Sequence, residues 1–115
     1  MLGLDPRTVP GVDATLVELA IAMGDERLKN AGFHADYCLV QVDDTAEDRI
    51  VESLIAKPYA CVVVGGGIRK PEPLVEFFEH VINLIRRHAP QAAIGFNTTG
   101  DNSLDAVLRC VGPNE

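Results

Sequence analysis

The chain has 115 residues, 47% of them hydrophobic and 23% charged, with a net charge of −7. That balance reads as one globular α/β domain, residues 1–115, able to bury a core without metal or disulfide staples. The acidic charge excludes nucleic acid and acidic membrane as partners, because a phosphate surface calls for a cationic footprint. No apolar run approaches the roughly 18 residues of a membrane span, and no segment reads as a secretion signal, so a cytoplasmic setting is expected. The three cysteines, Cys38, Cys61 and Cys110, show no CxxC spacing. They read as small buried hydrophobes in a reducing compartment.

Leu2-Gly3-Leu4 followed by Asp5-Pro6 predicts the carboxyl end of a strand running into a turn. A buried strand usually holds about five or six residues. Either this strand is short, or its native start lies upstream of Met1. Residues 6–12 form a loop with two prolines. Asp13 is an N-cap for a helix to about Asn30, with Val17, Ile21, Gly24, Leu28 and Ala31 as one stripe. Leu16, Leu19 and Met23 make a second apolar face, wider than one sheet requires. Gly32 ends the helix.

Tyr37 to Val42 is the second strand, closed by Asp43-Asp44. Thr45 with Asp48 predicts a capping box, opening a helix whose buried side is Ile50, Val51, Leu54 and Ile55 and which ends at Lys57-Pro58. Ala60 to Val64 is a short β-branched run closed by three glycines, the pattern of a strand buried on both faces. Pro71 and Pro73 suit the entry of the next helix, with Leu74, Phe77, Phe78, Val81, Ile82 and Ile85 as its core face. Its early acids and late bases, the cluster Arg86-Arg87-His88 included, complement the helix dipole. Ala92 to Phe96 is a fourth strand. A last helix, capped by Asp101 or Ser103, carries Leu104, Val107, Leu108 and Val111 and stops at Gly112-Pro113. Strands alternating with helices predict right-handed crossovers and a parallel sheet. The expected fold is a three-layer α/β sandwich, Rossmann-like or flavodoxin-like. Its four-stranded parallel sheet is expected in the order second, first, third, fourth.

From Asp36 to Thr99 the chain superficially resembles a response-regulator receiver domain. At the end of the central strand, however, Gly65 stands where a receiver carries its phosphoacceptor aspartate. No lysine follows a late strand, and the element order differs, so phosphoryl transfer is not carried over. Nearly the whole chain resembles a family of small bacterial Rossmann-like proteins with no established activity. The stretches that carry this likeness are Gly3-Leu4-Asp5-Pro6, Cys61 to Arg69, Ile82-Asn83-Leu84 with His88-Ala89-Pro90, and Phe96-Asn97-Thr98. The resemblance implies the fold, a bacterial origin and further strand residues upstream of Met1.

Ligands of open α/β sheets bind beyond the carboxyl ends of the strands. The Gly65-Gly66-Gly67 run leads there, but no Gly-Lys-Ser/Thr follows and Lys70 replaces the third glycine of a dinucleotide fingerprint. What remains is backbone N–H groups with Arg69 and Lys70 at a helix start, suited to an anion, or else a tight turn needing positive φ. Asp5, Asp43 and Asp44 are strand-end acids able to share Mg²⁺ or to act as caps, and no metal is assigned. His34, His80 and His88 lie away from the glycines, and neither a serine elbow nor an exposed cysteine is evident. The ligand-binding set expected at the carboxyl edge is Asp5, Arg7, Gly65, Gly66, Gly67, Arg69, Asn97 and Thr98. The expected function is a non-catalytic module binding a small anion or a protein partner; the alternative is a small hydrolase or transferase acting on a phosphorylated metabolite. No cofactor is indicated. A homodimer through Leu16, Leu19 and Met23 is expected.

Overall fold

In a computed structural model that describes residues 1–112, four parallel strands form one sheet in the order β2-β1-β3-β4. The strands are β1 (Leu2–Leu4), β2 (Cys38–Val40), β3 (Cys61–Val64) and β4 (Ala93–Phe96). The helices are α1 (Ala14–Asn30), α2 (Ala46–Ala56), the single turn α3 (Gly66–Arg69), α4 (Val75–His88) and α5 (Ser103–Val111). The chain steps outward from β1 to β2, then crosses back over β1 to β3. Right-handed crossovers therefore place α1 on one face and α2 and α4 on the other. Accordingly α1 packs beside α5, and α2 beside α4. The arrangement is a three-layer, flavodoxin-like sandwich with its switch point between β1 and β3.

Local chemistry explains most element ends. Asp13 Oδ1 accepts from Thr15 N at 3.0 Å and Leu16 N at 3.4 Å, capping α1. Gly32 follows its end at φ 87°, the left-handed geometry that glycine adopts without a Cβ penalty. Gly112 closes α5 at φ 75°; Pro113 lies outside the described residues. The core is continuous across β3: Val62, Val63, Val64, Ile68, Val81 and Ile85 are all buried. The β3 valines are buried on both sides of the sheet, as their unbroken apolar run requires.

Three expectations change. Thr45 does not cap α2 through its side chain. Instead, Asp43 Oδ1 accepts from Thr45 N at 2.8 Å and Thr45 Oγ1 at 2.5 Å, so the local Asx bond takes the hydroxyl before the helix can use it. Ile55 is 64% exposed, and the buried face of α2 is Ala46, Ile50 and Leu54. On α5 the buried residues are Ser103 and Ala106, while Leu108 and Val111 are exposed. The small face wins because α5 lies close against β4: a Cβ on Gly95 would stand 2.8 Å from Cys110 Sγ and 3.4 Å from Ala106 O. Larger side chains cannot enter that contact.

Pairing between β1 and β3 is limited to Leu2↔Val64, whereas β3 pairs with β4 along all four residues. Cys61 to Val63 thus have a strand neighbour on one side only. Beside them, toward α1 and α5, lies a cavity of about 140 Å³ lined by Leu28, Phe33, Val63, Val107 and Val111, among others.

Candidate functional site

At the carboxyl end of β3 the chain leaves the sheet through Gly65, which is extended at φ −70° and ψ 151° and donates from N to Leu2 O at 2.7 Å. Gly66–Arg69 then form one helical turn. None of the three glycines has positive φ, so the tight-turn reading of this run is set aside. Close approach explains two of them: a Cβ on Gly65 would stand 3.3 Å from Leu2 O, and one on Gly66 3.1 Å from Thr98 O. Gly67 is exposed and a Cβ there would meet nothing nearer than 3.9 Å.

Asn97 joins this turn to the end of β4. It is 4% exposed; its Oδ1 accepts from Gly66 N at 3.2 Å, and its Nδ2 donates to Ser103 Oγ at 3.0 Å. Arg69 donates to Asn97 O at 3.0 Å and lies over the Phe96 ring, 5.6 Å from its centroid. Lys70 Nζ donates to Thr98 O at 2.7 Å. Both cations of the glycine loop are thereby held on main-chain carbonyls that follow β4, clamping two strand ends together. Arg69 Nε alone, among the described residues, is a buried side-chain nitrogen or oxygen with no partner. Beyond Thr98, the Asn102 side chain accepts from Thr98 N and Thr99 N at 3.1 and 3.3 Å, which sets the turn Gly100–Asn102 against α1.

At the switch point, behind this clamp, lies a cavity of about 100 Å³. Gly3 and Leu4 of β1, Val17 and Ile21 of α1, and Gly66 and Asn97 are among its walls. Its lining is mostly apolar, with Asn97 beside Gly66 among its few polar residues. Its roof is held at a fixed height by a glycine contact, since a Cβ on Gly24 of α1 would stand 2.2 Å from Gly100 O. The helix therefore rests on the Gly100 turn rather than sinking onto β1.

Of the eight residues expected to bind ligand, Gly65, Gly66 and Asn97 line this cavity. Arg69 and Thr98 stand next to it in the clamp. Asp5 and Arg7 are turned to local work: Asp5 Oδ1 accepts from Arg7 N at 3.0 Å, and Arg7 Nε donates to Glu18 at 3.1 Å. Asp43 is engaged with Thr45, whose hydrogen bonds hold its carboxyl below the usual carboxylate range. Among the described residues no three His, Cys, Asp or Glu side chains form a metal-ligating group.

A second polar cluster lies at the opposite, amino edge, and the sequence reading missed it. Asp36 Oδ2 accepts from Tyr59 OH at 2.7 Å and Lys57 Nζ at 3.0 Å, and Oδ1 lies 3.1 Å from His34 Nε2. Met1 N donates to Asp36 O at 2.9 Å. Hydrogen bonds from Tyr59 and then Lys57 hold the Asp36 carboxyl well below the usual range. Burial, followed by Asp36, pushes the Tyr59 phenol up to about 12. The available signal was positional: His34-Ala35-Asp36 and Lys57-Pro58-Tyr59 occupy equivalent approaches to β2 and β3. Comparison with profiles of known protein families, with curated proteins and with solved structures finds no match to this chain.

Proposed function

We propose that this chain is a non-catalytic binding module whose ligand sits in the crevice between β1 and β3. The observation that carries this reading is the cavity of about 100 Å³ at the switch point, where open α/β sheets take their ligands. Its mostly apolar walls, with Asn97 beside Gly66, suit a small anion with a short hydrocarbon body, such as a carboxylate of a few carbons. The head group would lie beside Asn97. Lys70 is exposed, so exchanging Thr98 O for a ligand oxygen costs it little. Ser103 Oγ, beside Asn97, is committed to Asn97 and Gly100 O and no base contacts it, which favours binding over nucleophilic chemistry at that residue.

The module is proposed to pair with a second copy through α1. Leu16, Leu19 and Met23 are 64%, 55% and 47% exposed and share one stripe of that helix. Three apolar side chains in one patch mark an interaction surface.

Thermal-shift screening tests the ligand reading, with short-chain carboxylates, sugar phosphates and nucleotides each tried with and without Mg²⁺. Stabilisation by a short carboxylate, abolished in a folded Val17→Phe variant whose ring fills the cavity, is the expected result. A more stable Val17→Phe protein with no response to any compound would make the cavity a packing defect and end the proposal. Stabilisation that needs both Mg²⁺ and a phosphate ester would instead favour an enzyme acting on a phosphorylated metabolite.

A further inference from the structure

Cys61 and Cys110 belong to different layers and meet between them. Cys61 opens β3 in register with Ala93, and it lines the cavity of about 140 Å³ together with Val63, Val107 and Val111. Its side chain thus faces α5. Cys110 is in the last turn of α5, with Sγ 3.6 Å from Ile94 O. The missing side chain of Gly95 provides the space that the sulfur occupies. The two side chains thus occupy the same space between the sheet and α5, close enough to influence each other electrostatically, and neither residue is fully buried. Cys38 is kept apart on the other face of the sheet, where its Sγ lies 3.8 Å from Arg49 O of α2.

We propose that Cys61 and Cys110 form a redox-sensitive pair that a hydroperoxide converts to a disulfide, tying the end of α5 to β3. The inference does not depend on the ligand reading. A disulfide needs sulfurs about 2 Å apart, so the end of α5 must close on β3 for the bond to form. The cavity beside Cys61 admits a molecule as small as hydrogen peroxide. The Cys61 thiolate attacks one peroxide oxygen, the O–O bond breaks, and the hydroxide that leaves becomes water with the thiol's proton. Cys61 is then a sulfenic acid. Cys110 sulfur attacks the Cys61 sulfur, the S–O bond breaks, and a second water leaves with the Cys110 proton. Two sulfurs have each lost one electron and one peroxide has been reduced to two waters. Burial, with Cys110 adding to it, pushes the Cys61 thiol up to about 11. Its thiolate is scarce at neutral pH, so the step is slow there and quickens toward alkaline pH.

The test treats the whole chain with hydrogen peroxide at about pH 7 and about pH 9, quenches it, alkylates it under denaturing conditions and maps the peptides by mass spectrometry. The expected product is a Cys61–Cys110 peptide about 2 Da lighter than its two thiol parts, reversed by dithiothreitol, with Cys38 still alkylated. It forms roughly tenfold or more faster at the higher pH, and the oxidised protein melts several degrees higher. Cys38→Ala should retain the link, and Cys110→Ser should lose it. Separate over-oxidation of Cys61 and Cys110 with no cross-link, or a link through Cys38 or between chains, would overturn the proposal.

Discussion

Single residues carry polar jobs that no neighbour in sequence suggests. Asp36 is the clearest case, half-buried and holding Tyr59, Lys57 and His34 at once. Its depressed carboxyl pKa has a definite pH consequence. The unfolded group takes up its proton near pH 4, the folded group only at lower pH. Its stabilising contribution is therefore complete above about pH 4 and is lost as pH falls through the folded value. We expect Asp36→Asn to lower the urea midpoint at neutral pH. Wild type should lose that advantage between about pH 4 and about pH 2. Equal denaturation midpoint differences at every pH would show that the charge is not the source. Asn97 plays the matching role at the other edge, where one buried amide satisfies Gly66 N and Ser103 Oγ together.

Elements are placed as much by what they lack as by what they bury. Gly24 sits in the middle of α1, where glycine costs about 1 kcal/mol relative to alanine. On propensity alone Gly24→Ala would stabilise the helix. The contact with Gly100 O reverses that sign, because a Cβ would have to stand 2.2 Å from a backbone oxygen. Overpacking against backbone costs about 1–3 kcal/mol, so we expect Gly24→Ala to be destabilised by up to about 2 kcal/mol net in urea unfolding. A stabilised variant would mean that α1 lifts off the Gly100 turn at little cost. Gly95 does the same for α5, admitting Cys110 while Leu108 stays exposed. The apolar stripe of α5 in the sequence is therefore a poor guide to its buried side. A helix beside a glycine in a strand seats its smallest face.

For the whole molecule, the exposed stripe Leu16, Leu19 and Met23 of α1 is the surface proposed to meet a second copy. Burying Leu16, Leu19 and Met23 in a partner would contribute on the order of 5 kcal/mol before association costs. We expect light scattering at micromolar concentration to give a dimer mass and Leu19→Glu to give a folded monomer. A monomer mass for the wild type would rule the pairing out, and an unchanged dimer in the variant would move the interface elsewhere.

The sequence by itself determined the α/β class, the alternation of elements, the parallel sheet and its strand order. Each rests on local information: the β-branched run at Val62–Val64, the cap at Asp13, the stop at Gly32, and the one-handed crossover. It also located the Gly65–Gly66 turn and Asn97 at one sheet edge, since strand order alone brings those ends together. Tertiary structure decided the rest. Whether Arg69 and Lys70 face a ligand or clamp the carbonyls after β4 depends on how far apart β3 and β4 end. Whether Asp36 meets Tyr59 depends on the approaches to β2 and β3 converging at the amino edge although β1 lies between those strands. Which face of α5 is buried depends on its spacing from β4, which Gly95 sets. Those are distances between residues far apart in the chain, and periodicity along it contains no measure of them.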